Sequence, residues 1–458
     1  MNMKKTVFTL LVSILSTVVC AQGLAGSWKG KLNVGNMQLA LVFNITEGTD
    51  GKLSCTMDSP DQGAKGIPAE IETDGDAKVK ISVAAIGMTY AGELKDGQIR
   101  GQFSQHAFST PLNLSPGKAE MNRPQTPEPP FPYTTEEVTF TNPTDNATLS
   151  GTLTLPSATV SSSAGVTPVV VMVSGSGLQN RDEEVFGHKP FLVLADRLAR
   201  SGIASLRYDD RSVGKSTGDV SQATTETFMR DAAAAVDFLR RSGRFARVGV
   251  LGHSEGGTIA FILGAGGVAD FVVSMAGAAL PGDSILLEQN SALLTMSGLP
   301  STVCDDYCSA LGAVLNRISS GESVGDADAA VSDILSEAKI SLPADMQKNL
   351  VAVVKTFNPW LKHFVTYNPQ KDISSVKCPV MAINGSLDVQ VLSSSNLDAV
   401  RRLLPTDSRN VVKEYAGLNH LFQHCTTGSV AEYGKIEETM STEVMDDIAS
   451  WIISSCTR

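Results

Sequence analysis

Six prolines stand between positions 116 and 132: Pro116, Pro124, Pro127, Pro129, Pro130 and Pro132. A proline ring locks φ and removes the backbone donor, so such a stretch joins neither a sheet ladder nor a helix interior. Residues 115–134 are therefore expected to be a linker, and the chain has to fold as separately patterned pieces on either side of it.

Ahead of the linker, residues 22–114 read as all-β. Short alternating runs such as Gln38 to Ile45 and Lys78 to Val83 recur between polar turns. Asp50-Gly51, Asp74-Gly75 and Asp96-Gly97 are hairpin signals, because glycine accepts the positive φ of a tight turn. Gly26-Ser27-Trp28, followed by Gly30, Leu32 and Val34, resembles the opening of lipocalin-like barrels. That resemblance implies a small barrel-like fold and nothing more, and no titratable cluster in this part supports catalysis.

Beyond the linker, residues 135–458 change rhythm. Val138-Thr139-Phe140 and Leu149 to Leu155 read as a hairpin, and Pro168 to Val173 is a continuous apolar run, the mark of a strand buried on both faces. Helical and strand patterns then alternate: Phe191 to Ser201, Ile203 to Tyr208, Thr224 to Ser242, Val248 to Leu251, a helix from Thr258, and Phe271 to Ser274. Val380 to Ile383, Val411 to Tyr415 and a last helix near Val444 to Ile453 complete the series. This alternation predicts an α/β fold with a doubly wound, mostly parallel sheet. Residues 284–366 interrupt it with helical periodicity alone (Val303, Tyr307, Leu311, Leu315 and Ile318), which reads as a helical cap inserted over the sheet's C-terminal edge. Gly256 to Leu280 mimics a membrane span, but its glycines and Asp270 argue for a buried helix followed by a central strand.

The first 21 residues have the make-up of an export signal. Lys4 and Lys5 begin it, Val7 to Val19 is mostly apolar, and Val19-Cys20-Ala21 offers small-residue cleavage before Gln22. The apolar stretch falls short of the ~20 residues that span a bilayer. Lipidation at Cys20 is the alternative, against which Val19 is bulky. A periplasmic or secreted protein is the expectation. Six mature cysteines then remain, Cys55, Cys304, Cys308, Cys378, Cys425 and Cys456. Cys304 and Cys308 share a helix face and read as small core residues. No His–Cys cluster suggests zinc, so neither metal nor cofactor is expected. The whole chain, at 458 residues with 42% hydrophobic and 19% charged, suits packed domains and excludes a mostly disordered chain. Its net charge of −11 gives no basic face for nucleic acid.

The chemistry lies in the second piece. Gly-x-Ser-x-Gly occurs three times, around Ser216, Ser254 and Ser323. Only Ser254 follows an apolar strand (Val248-Gly249-Val250-Leu251) and precedes an apolar helix, the setting in which a sharp turn lifts a serine hydroxyl into a cleft. Gly214-Lys215-Ser216 fails as a phosphate loop because Asp209 stands where its first glycine belongs.

A serine hydroxyl needs a base to take its proton. Of His106, His188, His253, His363, His420 and His424, His420 follows the last strand in the order Ser, acid, His; His424 is its rival. Asp388, just past the strand Val380 to Ile383, is the acid, in preference to Asp372 and Asp407. Negative charge on the substrate oxygen needs two N–H donors, assigned to Ser176 in Ser174-Gly175-Ser176-Gly177 and to Glu255 after the nucleophile. Glu255 could instead serve as a side-chain acid.

Taken together, four segments resemble the α/β-hydrolase superfamily over about residues 135–458: Gly175 to Glu183, Arg207-Tyr208-Asp209-Asp210-Arg211, Gly252-His253-Ser254-Glu255-Gly256-Gly257, and Asn384 to Asp388. Within it they are similar to bacterial carboxylesterases near the dienelactone hydrolases and acylaminoacyl peptidases. The resemblance implies ester hydrolysis through an acyl-enzyme on Ser254, without fixing the substrate; for an exported enzyme a small-molecule or polysaccharide-linked ester is the expectation. Ser174 departs from it, standing where many relatives have the histidine of a His-Gly loop. Two other readings stay open: an exopeptidase-like amide hydrolase, and a binding protein with an inert hydrolase fold.

Overall fold

The computed structural model describes residues 23–456 apart from 35–36, 63, 76, 107, 118–121, 158–166 and 322–324. The expected export signal and Ser323 lie outside the described residues. The chain divides into two compact units between Glu120 and Met121.

The first unit is a closed antiparallel barrel of β1 (Gly26–Val34), β2 (Met37–Glu47), β3 (Leu53–Ser59), β4 (Ala64–Asp74), β5 (Lys78–Val83), β6 (Met88–Lys95), β7 (Gln98–Gln105) and β8 (Phe108–Pro116). Alternation explains it: in β5, Val79, Ile81 and Val83 face the interior, which Trp28, Phe43, Tyr90 and Leu112 also fill. The expected Asp-Gly turns join β2 to β3, β4 to β5 and β6 to β7, with Gly51, Gly75 and Gly97 at φ of +75°, +66° and +75°. Gly92 and Gly101 pair across β6 and β7, and a side chain on Gly101 would meet the Tyr90 hydroxyl at 2.6 Å. That hydroxyl lies 3.1 Å from the Ile99 and Leu112 carbonyls, so the glycines make room for a buried hydrogen bond.

Pro116 corrects an expectation. Assigned to the linker, it is instead the last residue of β8, opposite Trp28, and closes the barrel against β1. A proline at a strand end forfeits a single ladder donor, and the next residue, Gly117, supplies one to the Ser27 carbonyl at 2.8 Å. At the other end of the expected linker, Thr134 already opens a strand of the second unit.

That unit is built on an eight-stranded sheet. Its strands are β9 (Thr134–Asn142), β10 (Ala147–Leu155), β11 (Val169–Val173), β12 (Ala204–Tyr208), β13 (Val248–His253), β14 (Val272–Met275), β15 (Val380–Gly385) and β16 (Val411–Tyr415), in the spatial order 16-15-14-13-11-12-10-9. From β12 to β16 neighbours run parallel, while β9 and β10 form an antiparallel hairpin at one edge.

Each apolar run serves two faces. Val169, Val171 and Val173 enter the core under α2 (Thr225–Arg241), α3 (Glu255–Ala265) and α10 (Ser393–Leu403). Val170 and Met172 enter the opposite core, under α1 (Pro190–Arg200) and α12 (Thr442–Cys456). Between β14 and β15 runs a helical insertion: α4 (Gly282–Met296), α5 (Ser301–Ser319), α6 (Ala327–Ala338), α7 (Ala344–Lys355), α8 (Pro359–Thr366) and the short α9 (Gln370–Ile373). Tyr307, Leu311, Leu315 and Ile318 on α5 face its own core, shared with Leu350 of α7. A last short helix, α11 (Val430–Tyr433), lies between β16 and α12.

The proline-rich strip does not hang free. The Arg123 guanidinium donates to the carbonyls of Phe186 (2.8 Å), Ile436 (2.9 Å) and Gly434 (3.0 Å). Gln125 accepts from Met440 N–H at 3.0 Å and donates to Met440 O at 2.8 Å. Prolines deny this strip a ladder, and side-chain bonds to loop backbone take its place. Cys55, Cys304, Cys308, Cys378, Cys425 and Cys456 are all free thiols. Among the described residues no helix is long and apolar enough to cross a membrane.

Candidate active site

Ser254 sits at the turn from β13 into α3 with φ +55° and ψ −119°. Positive φ is disfavoured for a residue with a side chain by roughly 1–2 kcal/mol, so the surroundings have to impose it. They do so by proximity. A Cβ on Gly252 would lie 1.9 Å from Gly256 O, and one on Gly256 would lie 2.0 Å from Val173 O. Only glycine fits at either place, and the serine between them is forced outward. Its own N–H donates to Met275 O at 2.9 Å.

His420 lies in the loop after β16, and its Nδ1 is 2.7 Å from Asp388 Oδ2 beyond β15. Both side chains are buried. The other oxygen of Asp388 accepts from Gln390 N–H (2.8 Å) and Val391 N–H (3.0 Å), which fixes the carboxylate's orientation. A carboxylate on Nδ1 selects the tautomer whose Nε2 carries the lone pair, as a base requires. Ser254, His420, Ser176 and Glu255 line one cavity of about 330 Å³ with apolar walls from Ile285 and Phe364. Ser254 Oγ and His420 Nε2 share this cavity without a hydrogen bond between them; such bonds commonly tighten only when substrate is bound.

The loop after β11, Ser174 to Gly177, is held from beneath. Gly175 N–H donates to Glu183 Oε1 at 2.8 Å, and the N–H of Ser176 has no partner among the described residues. Asp210 accepts from Gln179 N–H at 2.8 Å and from the Ser174 hydroxyl at 3.3 Å. Burial pushes the Asp210 carboxyl up to about 7 despite these two bonds. Arg207 pairs with Asp182, Arg181 with Asp209 at 2.8 Å, and Arg211 with Asp231 at 2.7 Å. The charged residues of β12 and of the loops after β11 and β12 thus brace those loops against one another.

The Glu255 carboxylate is not available as an acid, which corrects the alternative assigned to it. Thr225 Oγ1 donates to it at 2.7 Å and Trp360 Nε1 of α8 at 2.9 Å. What Glu255 offers the cavity is its N–H, unpaired within the protein at the start of α3. The sequence carries no signal for Trp360, which lies 105 residues from Glu255 on a helix with no chemical signature. Glu183 ends the Gly175–Glu183 motif and Gln390 lies two residues past Asp388, and only their neighbours in space reveal what they touch.

The remaining candidates fall elsewhere. His424 is two-thirds exposed and bonds Glu438 at 2.8 Å. His188 is fully buried between Thr439 and Tyr433. His106 turns between β7 and β8, and His363 rides on α8. Asp372 accepts from the Tyr367 hydroxyl, and Asp407 pairs with Arg409. Ser216 is buried, donating to Asp209 O at 2.7 Å and accepting from Ser150 N–H at 2.9 Å, so it latches a loop.

A model of the family described as serine aminopeptidase, S33, matches residues 189–424, a span that holds Ser254, Asp388 and His420 but not Ser176. Among curated proteins, the esterase EstD of Thermotoga maritima is 32% identical over 155 residues, which is 34% of this chain and 36% of that protein. The chain thus matches about a third of that relative's length. Among solved structures, Est1E from Butyrivibrio proteoclasticus with ferulic acid bound aligns with a TM-score of 0.41 at 15% identity, over 70% of this chain and 100% of that one. The Pyrococcus furiosus esterase PF2001 aligns with a TM-score of 0.42 at 16% identity, over 74% and 99% of the two chains.

Proposed function

We propose that this chain, which belongs to the serine aminopeptidase S33 family of α/β-hydrolases, is a serine carboxylesterase acting through an acyl-enzyme on Ser254. The observation that carries the reading is the 2.7 Å His420–Asp388 bond on the wall of the cavity that Ser254 also lines. In the reaction, Ser254 Oγ attacks the ester carbonyl while His420 Nε2 takes its proton. The tetrahedral oxygen receives hydrogen bonds from the N–H groups of Ser176 and Glu255. His420 then protonates the leaving alcohol, and water, activated by the same base, releases the acid. Asp388 stabilises the imidazolium formed in each half-reaction. A cavity of about 330 Å³ with apolar walls suits short-chain or compact acyl groups, including those carried by plant polysaccharide.

The family's description raises amide hydrolysis at a free amino terminus as a second reading. A substrate ammonium needs an unpaired carboxylate, and the two acids that line the cavity are both engaged. Glu183 holds Gly175 and His253, and Glu255 holds Thr225 and Trp360. Ester hydrolysis is accordingly preferred. Ser254→Ala is expected to lower kcat for a short-chain nitrophenyl ester by about 10⁴-fold or more. Activity left at the wild-type level would remove Ser254 from the mechanism, and faster cleavage of an aminoacyl anilide than of the ester would reverse the preference.

A further inference from the structure

Glu183 and His253 are buried beside the reaction centre, and the chemistry above uses neither side chain. Glu183, between β11 and α1, holds φ +52°, again disfavoured for a residue with a side chain. Its Oε1 accepts from Gly175 N–H at 2.8 Å and faces His253 Nδ1 at 3.0 Å. The other ring nitrogen of His253, Nε2, lies 2.9 Å from the backbone carbonyl of His420. Carboxylate and carbonyl are both acceptors, so the two ring bonds are made together when both nitrogens carry hydrogen. An imidazolium against a carboxylate meets that condition. Burial opposes the charged ring, but the Glu183 carboxylate and the His420 carbonyl outweigh it and hold the ring's pKa above its ordinary value.

Two side chains therefore tie three segments that are far apart in sequence. Glu183 grips the oxyanion loop at Gly175, His253 is the residue before Ser254, and its ring reaches the loop that carries His420. The junction is tight: a Cβ on Gly175 would lie 3.1 Å from Ser254 Cβ and 3.4 Å from Glu183 Oε1. We propose that Glu183 and His253 are positioning residues, a buried ion pair that keeps the oxyanion loop and the base loop in register on the nucleophile turn. The proposal rests on the esterase reading of Ser254. Misplacing reacting groups by about 1 Å costs on the order of 100-fold in rate, and the loss falls on the transition state rather than on substrate binding.

The test uses the full chain with a short-chain nitrophenyl ester. Glu183→Gln keeps the shape and one acceptor for Gly175, and His253→Phe keeps the ring's bulk without its donors. Each is expected to lower kcat by about 10- to 100-fold with KM changed by less than about threefold. His253→Gln, whose amide still donates, is expected to recover part of what His253→Phe loses. Circular dichroism and thermal melting report folding, so a variant that fails to fold is set aside in favour of its partner. The proposal is overturned if kcat stays within about twofold of wild type in both. It is equally overturned if the loss lies in KM alone, or if it tracks a reduced folded fraction. Full activity in Ser254→Ala would instead strike the esterase reading, whereas an inactive Ser254→Ala beside fully active Glu183→Gln and His253→Phe would remove the ion pair's role alone.

Discussion

His188 and Asp210 are buried in the same unit and respond to pH in opposite senses. Burial pushes the His188 ring down to about 4, against the hydrogen bond to Tyr433 O. Between that value and the ordinary 6.5 the unfolded chain binds a proton that the folded chain refuses. The stability His188 contributes is thus full above pH 6.5 and lost as pH falls toward 4. Asp210, pushed up to about 7 from an ordinary 3.8, behaves inversely: the folded chain holds the proton longer. Its contribution is full below pH 3.8 and lost as pH rises toward 7. Each effect is on the order of 3–4 kcal/mol, so in the intact protein they largely offset. Urea unfolding across this range is expected to separate them. His188→Gln should gain stability relative to wild type as pH is lowered, and Asp210→Asn should gain it as pH is raised. Curves parallel to the wild type would show that neither proton is tied to folding.

At the scale of elements, a segment without regular structure is firmly docked. Residues 122–133 contain no helix or strand, yet Arg123 alone bonds three loop carbonyls that also border α1, α11 and α12. At about 1 kcal/mol or more for each charged hydrogen bond, Arg123→Ala removes several kcal/mol. The melting transition of the second unit is then expected to fall by about 5 °C or more, read by differential scanning calorimetry. An unchanged transition would mean that the strip merely rests on the surface. Helix α8 has a comparable anchorage. Trp360 reaches Glu255 at the start of α3 and stacks on Phe364, with ring centroids 5.4 Å apart, so the insertion and the nucleophile turn share a buried carboxylate.

For the molecule as a whole, the parallel sheet explains why the site forms where it does. Ser176, Ser254, Asp388 and His420 follow β11, β13, β15 and β16 respectively, all at the C-terminal ends of their strands, where loops on neighbouring strands converge. At the same scale, we propose that the chain is exported and that residues 1–21 are removed on the way, which takes the net charge from −11 to −13 by loss of Lys4 and Lys5. Intact-mass measurement of protein recovered from outside the cytoplasm is expected to place the amino terminus at Gln22. A lipidated terminus at Cys20, or an uncleaved chain, would contradict this.

What the sequence determined by itself was the strand rhythm and the strand ends that carry chemistry. An apolar run followed by small residues is a local signal, and Ser254 and Asp388 each stand just beyond such a run, while His420 follows the last strand, Val411–Tyr415. The barrel was legible for the same reason, since alternation and Asp-Gly turns act between neighbours in the chain. Tertiary structure alone decided the partners. Glu183 finds His253 across 70 positions and Trp360 finds Glu255 across 105, and no periodicity encodes which buried donor meets which acceptor. It also decided the fate of the prolines. Proline chemistry forbids a ladder donor, but it does not forbid Pro116 from ending a strand, nor Arg123 and Gln125 from fastening the strip to backbone groups that the fold brings within reach.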